Sequence, residues 1–221
     1  MSFALPGRSQ ASLVSLGHPA DRFMLAILRA CADAVIVGAG TLREEPKLLW
    51  TPEEVVPDLA TELAGLRSAL AKPRRPLVVF VSASGKVDLG LPVFLSGDPV
   101  LVITTREGAA RLGDPPESVR VHATDRTPNA REIVEAVAHE TNGRLLLTEG
   151  GPLILGQFLR DRMLDEIFLT LAPQIAGRSA EERRIGLVEG IAFDPDQAPR
   201  AELLSVRRAD DHLFFRYRLR R

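Results

Sequence analysis

Cysteine is nearly absent: Cys31 is the one cysteine in 221 residues, which excludes an internal disulfide and a thiolate metal cage. It falls on the apolar side of a predicted helix and is read as a core residue. A charge excess is lacking too, with 28 Lys and Arg against 29 Asp and Glu. No bulk field therefore favours nucleic acid or an anionic membrane, and a small, locally recognised ligand is the expected partner. No apolar run approaches the roughly 18 residues of a membrane span, and Met1 to Gln10 lacks the apolar centre of a signal peptide, so a cytoplasmic protein is expected. His18, His122, His139 and His212 are scattered without HExxH or paired spacing, and no metal site is expected. Neither a GxSxG elbow nor a GxxxxGK(S/T) phosphate loop occurs.

What is present is a chain of one-domain length, residues 1–221, long enough to bury a full core. Its centre of organisation is the stretch from Arg144 to Leu159, RLLLTEGGPLILGQFL. Leu145 to Thr148 is a short β-prone run, and from Gly150, Gly151 and Pro152 the spacing of Leu153, Ile154, Gln157 and Phe158 turns helical. Glycines permit a sharp turn and close approach of a ligand to bare backbone, and Pro152 suits the first helical position. The unpaired N–H groups of a helix start make this an anion site, most simply for a pyrophosphate; a plain βα turn uses the same glycines.

Taken in order, Pro19 to Cys31 reads as a helix with Phe23, Ile27 and Cys31 on one face. Ala34 to Val37 is a buried strand, and Gly38, Gly40 and Thr41 form a second glycine turn at its end. Residues 43–57, with three prolines and the only tryptophan, read as a long surface loop beside a strand end, a place for a substrate wall. Trp50 is an anchor packing that loop on the body, with stacking on a planar ring as the alternative. Leu59, Leu63, Leu66 and Leu70 mark one face of a helix ending before Pro73. Leu77 to Val81 is a strand followed by a Ser82 to Gly85 turn, and Pro99 to Ile103 is another. Thr104, Thr105 and Arg106 after it suit a phosphate clamp that would discriminate NADP from NAD, or else a Thr helix cap beside a solvated Arg. Ser118 to His122 is a strand, and Thr127 with Pro128 starts a helix carrying Ile133, Val134 and Val137. Asp165 to Ala172 is a strand, Pro173 to Asp196 is mostly irregular, and Ala201 to Arg221 is a hairpin around Asp210 and Asp211. Its Leu213, Phe215, Tyr217 and Leu219 alternate with Arg216, Arg218 and Arg220.

Repeated strand and helix segments with a terminal hairpin predict an α/β fold, a mostly parallel sheet flanked by helices with antiparallel strands at one edge. Ligands in such sheets lie beyond the carboxyl ends of the strands, where every turn named above falls. Many glycine turns and few acid or base candidates suit a nicotinamide reductase, in which the cofactor carries the hydride.

ADAVIVGAGT, LLLTEGGPLILGQFL and DEIFLTLAPQIAGR together resemble the reductase domain of bacterial riboflavin biosynthesis, the C-terminal domain family of the bifunctional deaminase-reductase. The match runs from about Gly7 to the C-terminus, and the family's zinc deaminase domain is missing. The resemblance implies a three-layer dihydrofolate reductase-like fold, NADPH as cofactor, reduction of the ribosyl group of a phosphoribosylamino-pyrimidine to ribityl, and a homodimer. A dihydrofolate-like ring as substrate and a noncatalytic NADP-binding relative are the alternatives. Carried over, the resemblance places Thr41, Glu44, Glu45 and Gly151 to Ile154 at the cofactor, and Ser9, Arg29, Leu48 and Glu149 near the substrate. Thr51 stands near the position at which the bifunctional enzymes carry an arginine, a departure that weakens the claim to the same phosphorylated substrate. The family also begins with a strand ending in a Ser/Thr-Leu-Asp-Gly segment, upstream of residues matching Phe3 to Ser9. Nothing in Met1 to His18 replaces its aspartate, so the expectation is that this strand is missing and that the present form binds NADPH but reduces substrate poorly.

Overall fold

The computed structural model describes residues 15–143, 145–175, 177 and 185–220. Ser9, Arg144 and residues 1–14, on which the expectation of a missing strand rests, lie outside the described residues. Two compact units are formed, one by Arg22–Gly151 and the other by Met1–Asp21 with Pro152–Arg221. Among the described residues no helix is long and apolar enough to cross a membrane.

The larger unit follows the sequence in alternating segments. Helix α1 (Pro19–Cys31), whose first turn belongs to the other unit, leads to β1 (Ala34–Gly38), then α2 (Ala39–Glu44), α3 (Pro52–Val55) and, after a 3-10 turn, α4 (Ala60–Ala69). There follow β2 (Leu77–Ser82), α5 (Pro92–Leu95), β3 (Val100–Thr105), α6 (Arg106–Leu112), β4 (Val119–Thr124), α7 (Ala130–Thr141) and β5 (Leu146–Thr148). The five strands make one parallel sheet in the order β4-β3-β2-β1-β5. All five residues of β1 are buried, as a parallel strand covered on both faces requires. Its branched side chains Val35 and Val37 pack with Leu42, Trp50, Phe80 and Phe94 in the main core. After β1 the chain builds β2, β3 and β4 on one side, and α7 then carries it back to pair β5 on the other side of β1, in the register Ala34 to Leu146 and Ile36 to Thr148. The strand order thus reverses between β1 and β5, and their carboxyl ends border the crevice where sheets of this kind take ligands.

Several local expectations change. No glycine turn follows β1: Gly38, at φ −80° and ψ 147°, is the N-cap of α2, and the strand runs directly into the helix. Residues 43–57 are no plain loop, because Thr51 caps α3 through a bond from the Glu54 N–H, with Pro52 at the first position. The helix expected at Thr127 starts instead at Ala130. There Asn129 and Glu132 form a reciprocal capping box, with bonds of 2.9 and 2.8 Å, that outcompetes the single Thr–Pro signal. Cys31 is only half-buried, being the last residue of α1 where the helix leaves the core. Leu70 lies past the end of α4 and is exposed, so Leu63 rather than the whole leucine row anchors that helix. The turn after β2 does use its glycine: Gly85 has φ +64°, and a Cβ there would overlap the backbone of Gly108 in α6.

The smaller unit holds α8 (Pro152–Arg160), β6 (Glu166–Leu171), β7 (Ala201–Ala209) and β8 (His212–Leu219). The last three form a separate antiparallel sheet, β6-β8-β7, rather than the edge of the parallel one, because their hydrogen bonds run among themselves. Asp210 and Asp211 make the hairpin as expected, with Asp210 at φ 50°. Ile167, Leu169 and Leu171 pair with Tyr217, Phe215 and Leu213, so one face of this sheet is apolar. Arg216 and Arg218 lie on the other and share Glu166.

Candidate functional site

At the carboxyl end of β1 and β5 the larger unit buries a guanidinium. Arg29, in the last turn of α1, is 2% exposed. A buried cation must be paired and its donors spent. Its Nε and Nη2 donate to the two carboxylate oxygens of Glu149, both at 2.7 Å, in the bidentate geometry that planar Arg favours. Nη1 donates to the Thr51 carbonyl at 3.2 Å. Glu149 is the first residue after β5, and its N–H continues the ladder by donating to the Ile36 carbonyl at 3.0 Å. The sheet register thus delivers the carboxylate to the helix cation across 120 positions of sequence. Arg67 holds the end of α1 in place, donating to the carbonyls of Arg29, Ala30, Ala32 and Pro73. This satisfies the unpaired C-terminal groups of the helix with a cation.

A second carboxylate, absent from the sequence expectations, completes the cluster. Glu54 of α3 accepts the Leu49 N–H at 2.9 Å and the Trp50 N–H at 3.0 Å, and lies 3.6 Å from the Arg29 guanidinium. Burial pushes its carboxyl above the ordinary range, and the charge of Glu149 adds to this. The Leu49 N–H, the Arg29 cation and the Trp50 N–H oppose it. The Thr-Pro-Glu-Glu run at 51–54 is a helix-start signal that would have exposed Glu54, had residues 43–57 not read as loop. Trp50 anchors this segment: the residue is 1% exposed and its ring meets Phe80 edge to face at 5.2 Å, which disposes of stacking on a ligand. Leu48 and Leu49 pack half-buried on the same core.

Thr41, half-buried in the first turn of α2, adjoins the β5 turn: a Cβ on Gly151 would come 3.2 Å from its Oγ1. Neither Gly150 nor Gly151 has positive φ, so the glycines serve here by lacking a side chain and not by left-handed backbone. Gly40 is exposed beside them on α2, Glu44 is the exposed last residue of that helix, and Glu45 closes it by donating to the Thr41 carbonyl at 2.9 Å. Gly38, Gly40, Thr41, Glu149, Gly150 and Gly151 therefore share the rim of β1 and β5. Pro152, Leu153 and Ile154 open α8 in the other unit, where Leu153 is exposed and Ile154 buried.

The residues after β3 do not converge. Thr105 is the N-cap of α6, accepting from Gly108 N–H at 3.0 Å and donating to the Ala83 carbonyl at 2.9 Å. Thr104 is wholly buried with its hydroxyl unpartnered, Ser82 is buried at the end of β2, and Arg106 is exposed and paired with Asp125. These residues form a helix cap, two buried hydroxyls and a solvated ion pair whose cation is Arg106.

The family model described as the RibD C-terminal domain matches residues 3–214. Three solved structures share the fold. RibD of Acinetobacter baumannii has TM-score 0.72 and 18% identity, covering 100% of this chain and 55% of its own. A pyrimidine reductase-like protein of Corynebacterium diphtheriae has TM-score 0.74 and 22% identity, with coverages of 100% and 89%. The Thermotoga maritima diaminohydroxyphosphoribosylaminopyrimidine deaminase/5-amino-6-(5-phosphoribosylamino)uracil reductase has TM-score 0.68 and 21% identity, with coverages of 91% and 49%. The chain thus spans about half the length of the first and third. No curated protein matches it in sequence.

Proposed function

Because this chain belongs to the RibD C-terminal domain family, we propose that it is an NADPH-dependent reductase of the riboflavin biosynthesis type. Its substrate is a 5-amino-6-(phosphoribosylamino)uracil-like pyrimidine, reduced at the ribosyl group. The observation that carries this is the buried Arg29–Glu149 pair at the strand-order reversal. A carboxylate has about four lone-pair positions, and Arg29 takes two, leaving Glu149 able to accept from ring N–H or amino donors of a pyrimidine. The rim also suits the cofactor: with no side chain on Gly38, Gly40 or Gly151, and a Cβ on Gly151 already 3.2 Å from the Thr41 Oγ1, the backbone is left bare for a diphosphate to approach. When bound, NADPH supplies the hydride. The chain's own part is to orient: Glu149 by hydrogen bonding, the Leu48 loop by contact, and Arg106 by preferring a 2′-phosphate. A homodimer accords with the apolar face of the β6-β8-β7 sheet, on which Leu169, Leu171, Leu203 and Val206 are exposed.

The test is NADPH oxidation by the purified chain with the phosphoribosylamino-pyrimidine. Turnover supports the reading, and NADPH binding without turnover on it or on dihydrofolate favours a noncatalytic relative. One observation favours a second reading. Thr51, where the related arginine would stand, is 2% exposed and spent on Arg29 and the α3 cap, so it offers a substrate phosphate nothing. An unphosphorylated pyrimidine or a pteridine-like ring is the corresponding substrate, and a higher kcat/KM for the dephosphorylated compound would establish it.

A further inference from the structure

The Glu54 carboxylate is spent on backbone rather than on a ligand, and what it holds is the wall next to Arg29. It gathers two consecutive N–H groups, Leu49 at 2.9 Å and Trp50 at 3.0 Å, so the chain must curl around it. The curl places Trp50 at φ 55°, a left-handed conformation that a bulky residue holds only when its surroundings over-determine it. The Thr51 carbonyl that follows accepts from Arg29, which tethers the curl to the cation that Glu149 also holds. One helix end, one strand end and one loop are thereby joined through a single guanidinium. The charged groups around Glu54 are Arg29 on α1, Glu149 after β5, and its neighbour Glu53, which is paired with Arg75 at 2.8 Å.

We propose that Glu54 is a positioning residue that fixes the Leu48–Thr51 curl on Arg29 and so sets affinity for the substrate without touching it. The proposal rests on the reading of Arg29, Leu48 and Glu149 as the substrate side of a reductase site. Without the carboxylate, the Leu49 and Trp50 N–H groups lose their acceptor, the strained Trp50 backbone relaxes, and Leu48 keeps only its own N–H bond to the Glu45 carbonyl and its packing on the core. The cofactor rim at Gly38, Thr41 and Gly151 shares no hydrogen bond with Glu54 and keeps its geometry.

The sequence supplies its own probe, since Trp50 is the only tryptophan. In Glu54→Ala its emission should move to the red and its quenching by acrylamide should rise. KM for the pyrimidine should rise about 10-fold, as expected for lost hydrogen bonds to a charged group, with kcat and the NADPH dissociation constant within about twofold of the wild type. Glu54→Gln, which keeps an acceptor at the same reach, should restore emission and KM together. Glu54→Asp, a methylene too short for both N–H groups, should behave like Ala and replaces it if Ala does not fold. Wild-type emission and quenching in both Ala and Asp variants would overturn the proposal, as would a kcat loss at unchanged KM. Should the wild-type chain reduce none of the candidate substrates, the reductase reading fails, and the Trp50 emission and quenching series still decides whether Glu54 holds the curl.

Discussion

Replacing Arg29 by Met removes the charge that neutralises Glu149 while keeping much of the side-chain volume. Glu149 is 15% exposed at its side chain, so it cannot rehydrate fully, and the Thr51 carbonyl loses its donor too. Breaking a buried pair by removing one partner costs about 3 to 5 kcal/mol, a large share of the roughly 5 to 15 kcal/mol by which a folded protein is stable. For a chain of this length that corresponds to a fall of about 6 to 20 °C in Tm. Glu149→Leu should cost less, because the guanidinium keeps Glu54 at 3.6 Å as a second carboxylate. The Arg29→Met/Glu149→Leu double variant removes both charges, and its loss should be smaller than the sum of the two singles by at least about 2 kcal/mol. Denaturant unfolding of the four proteins, followed by circular dichroism, measures the cycle. Single losses under about 1 kcal/mol that simply add would mean the pair behaves like a surface ion pair, and would refute the claim that burial makes it decisive.

Gly151→Asp sets a carboxylate against Thr41 where the diphosphate is proposed to lie, and should lower NADPH affinity by at least about 10-fold with the circular dichroism spectrum unchanged; titration matching the wild type would remove the rim from the cofactor site. Arg106→Ala should weaken NADPH by about 10-fold and leave NADH alone, and equal losses for both cofactors would deny Arg106 a role in choosing between them. Glu54 ionises with difficulty in the folded chain, so its carboxyl is raised above its ordinary 4.5. Its contribution to stability is then fully present below pH 4.5 and is lost as pH rises through the higher folded value. Relative to Glu54→Gln, the wild type should therefore lose stability on going from pH 4.5 upward, and a relative gain over that interval in denaturant midpoints would contradict the burial argument.

The strands were readable because β1, β2 and β3 are continuous branched apolar runs, and a buried parallel strand has few other ways to be written. The start of α8 at Pro152 was readable for a similar local reason, a proline at the first helical position. What escaped was decided by bonds that leave the element a local pattern describes. Nothing near Glu54 announces that its carboxylate turns back to Leu49 and Trp50, since the Thr-Pro-Glu-Glu pattern predicts at most a bond within its own helix. Arg29 and Glu149 were each placed near the substrate by family resemblance. Their direct pairing depends on β5 lying beside β1, a sheet order that local periodicity does not encode. The residues after β3 show how far a local pattern reaches: Thr104, Thr105 and Arg106 are consecutive, and in a strand entering a helix consecutive side chains point apart, so of the three Arg106 alone extends a charge into solvent.

Adding β5 last has a kinetic meaning. The strand has three residues, pairs with β1 alone among the described residues, and returns to it after more than a hundred residues of intervening chain. So short and non-local a pairing is expected to form late in folding and to open early in the native state, which amide exchange at β5 measures. Each opening would leave Arg29, enclosed by α1 and the Trp50 segment, with Glu54 at 3.6 Å as its remaining carboxylate. Detachment of β5 would therefore also dismantle the rim. A ligand bridging Glu149 and the Gly151 turn would act as a latch on the last strand, lengthening the lifetime of the β5 amide protons against exchange with solvent.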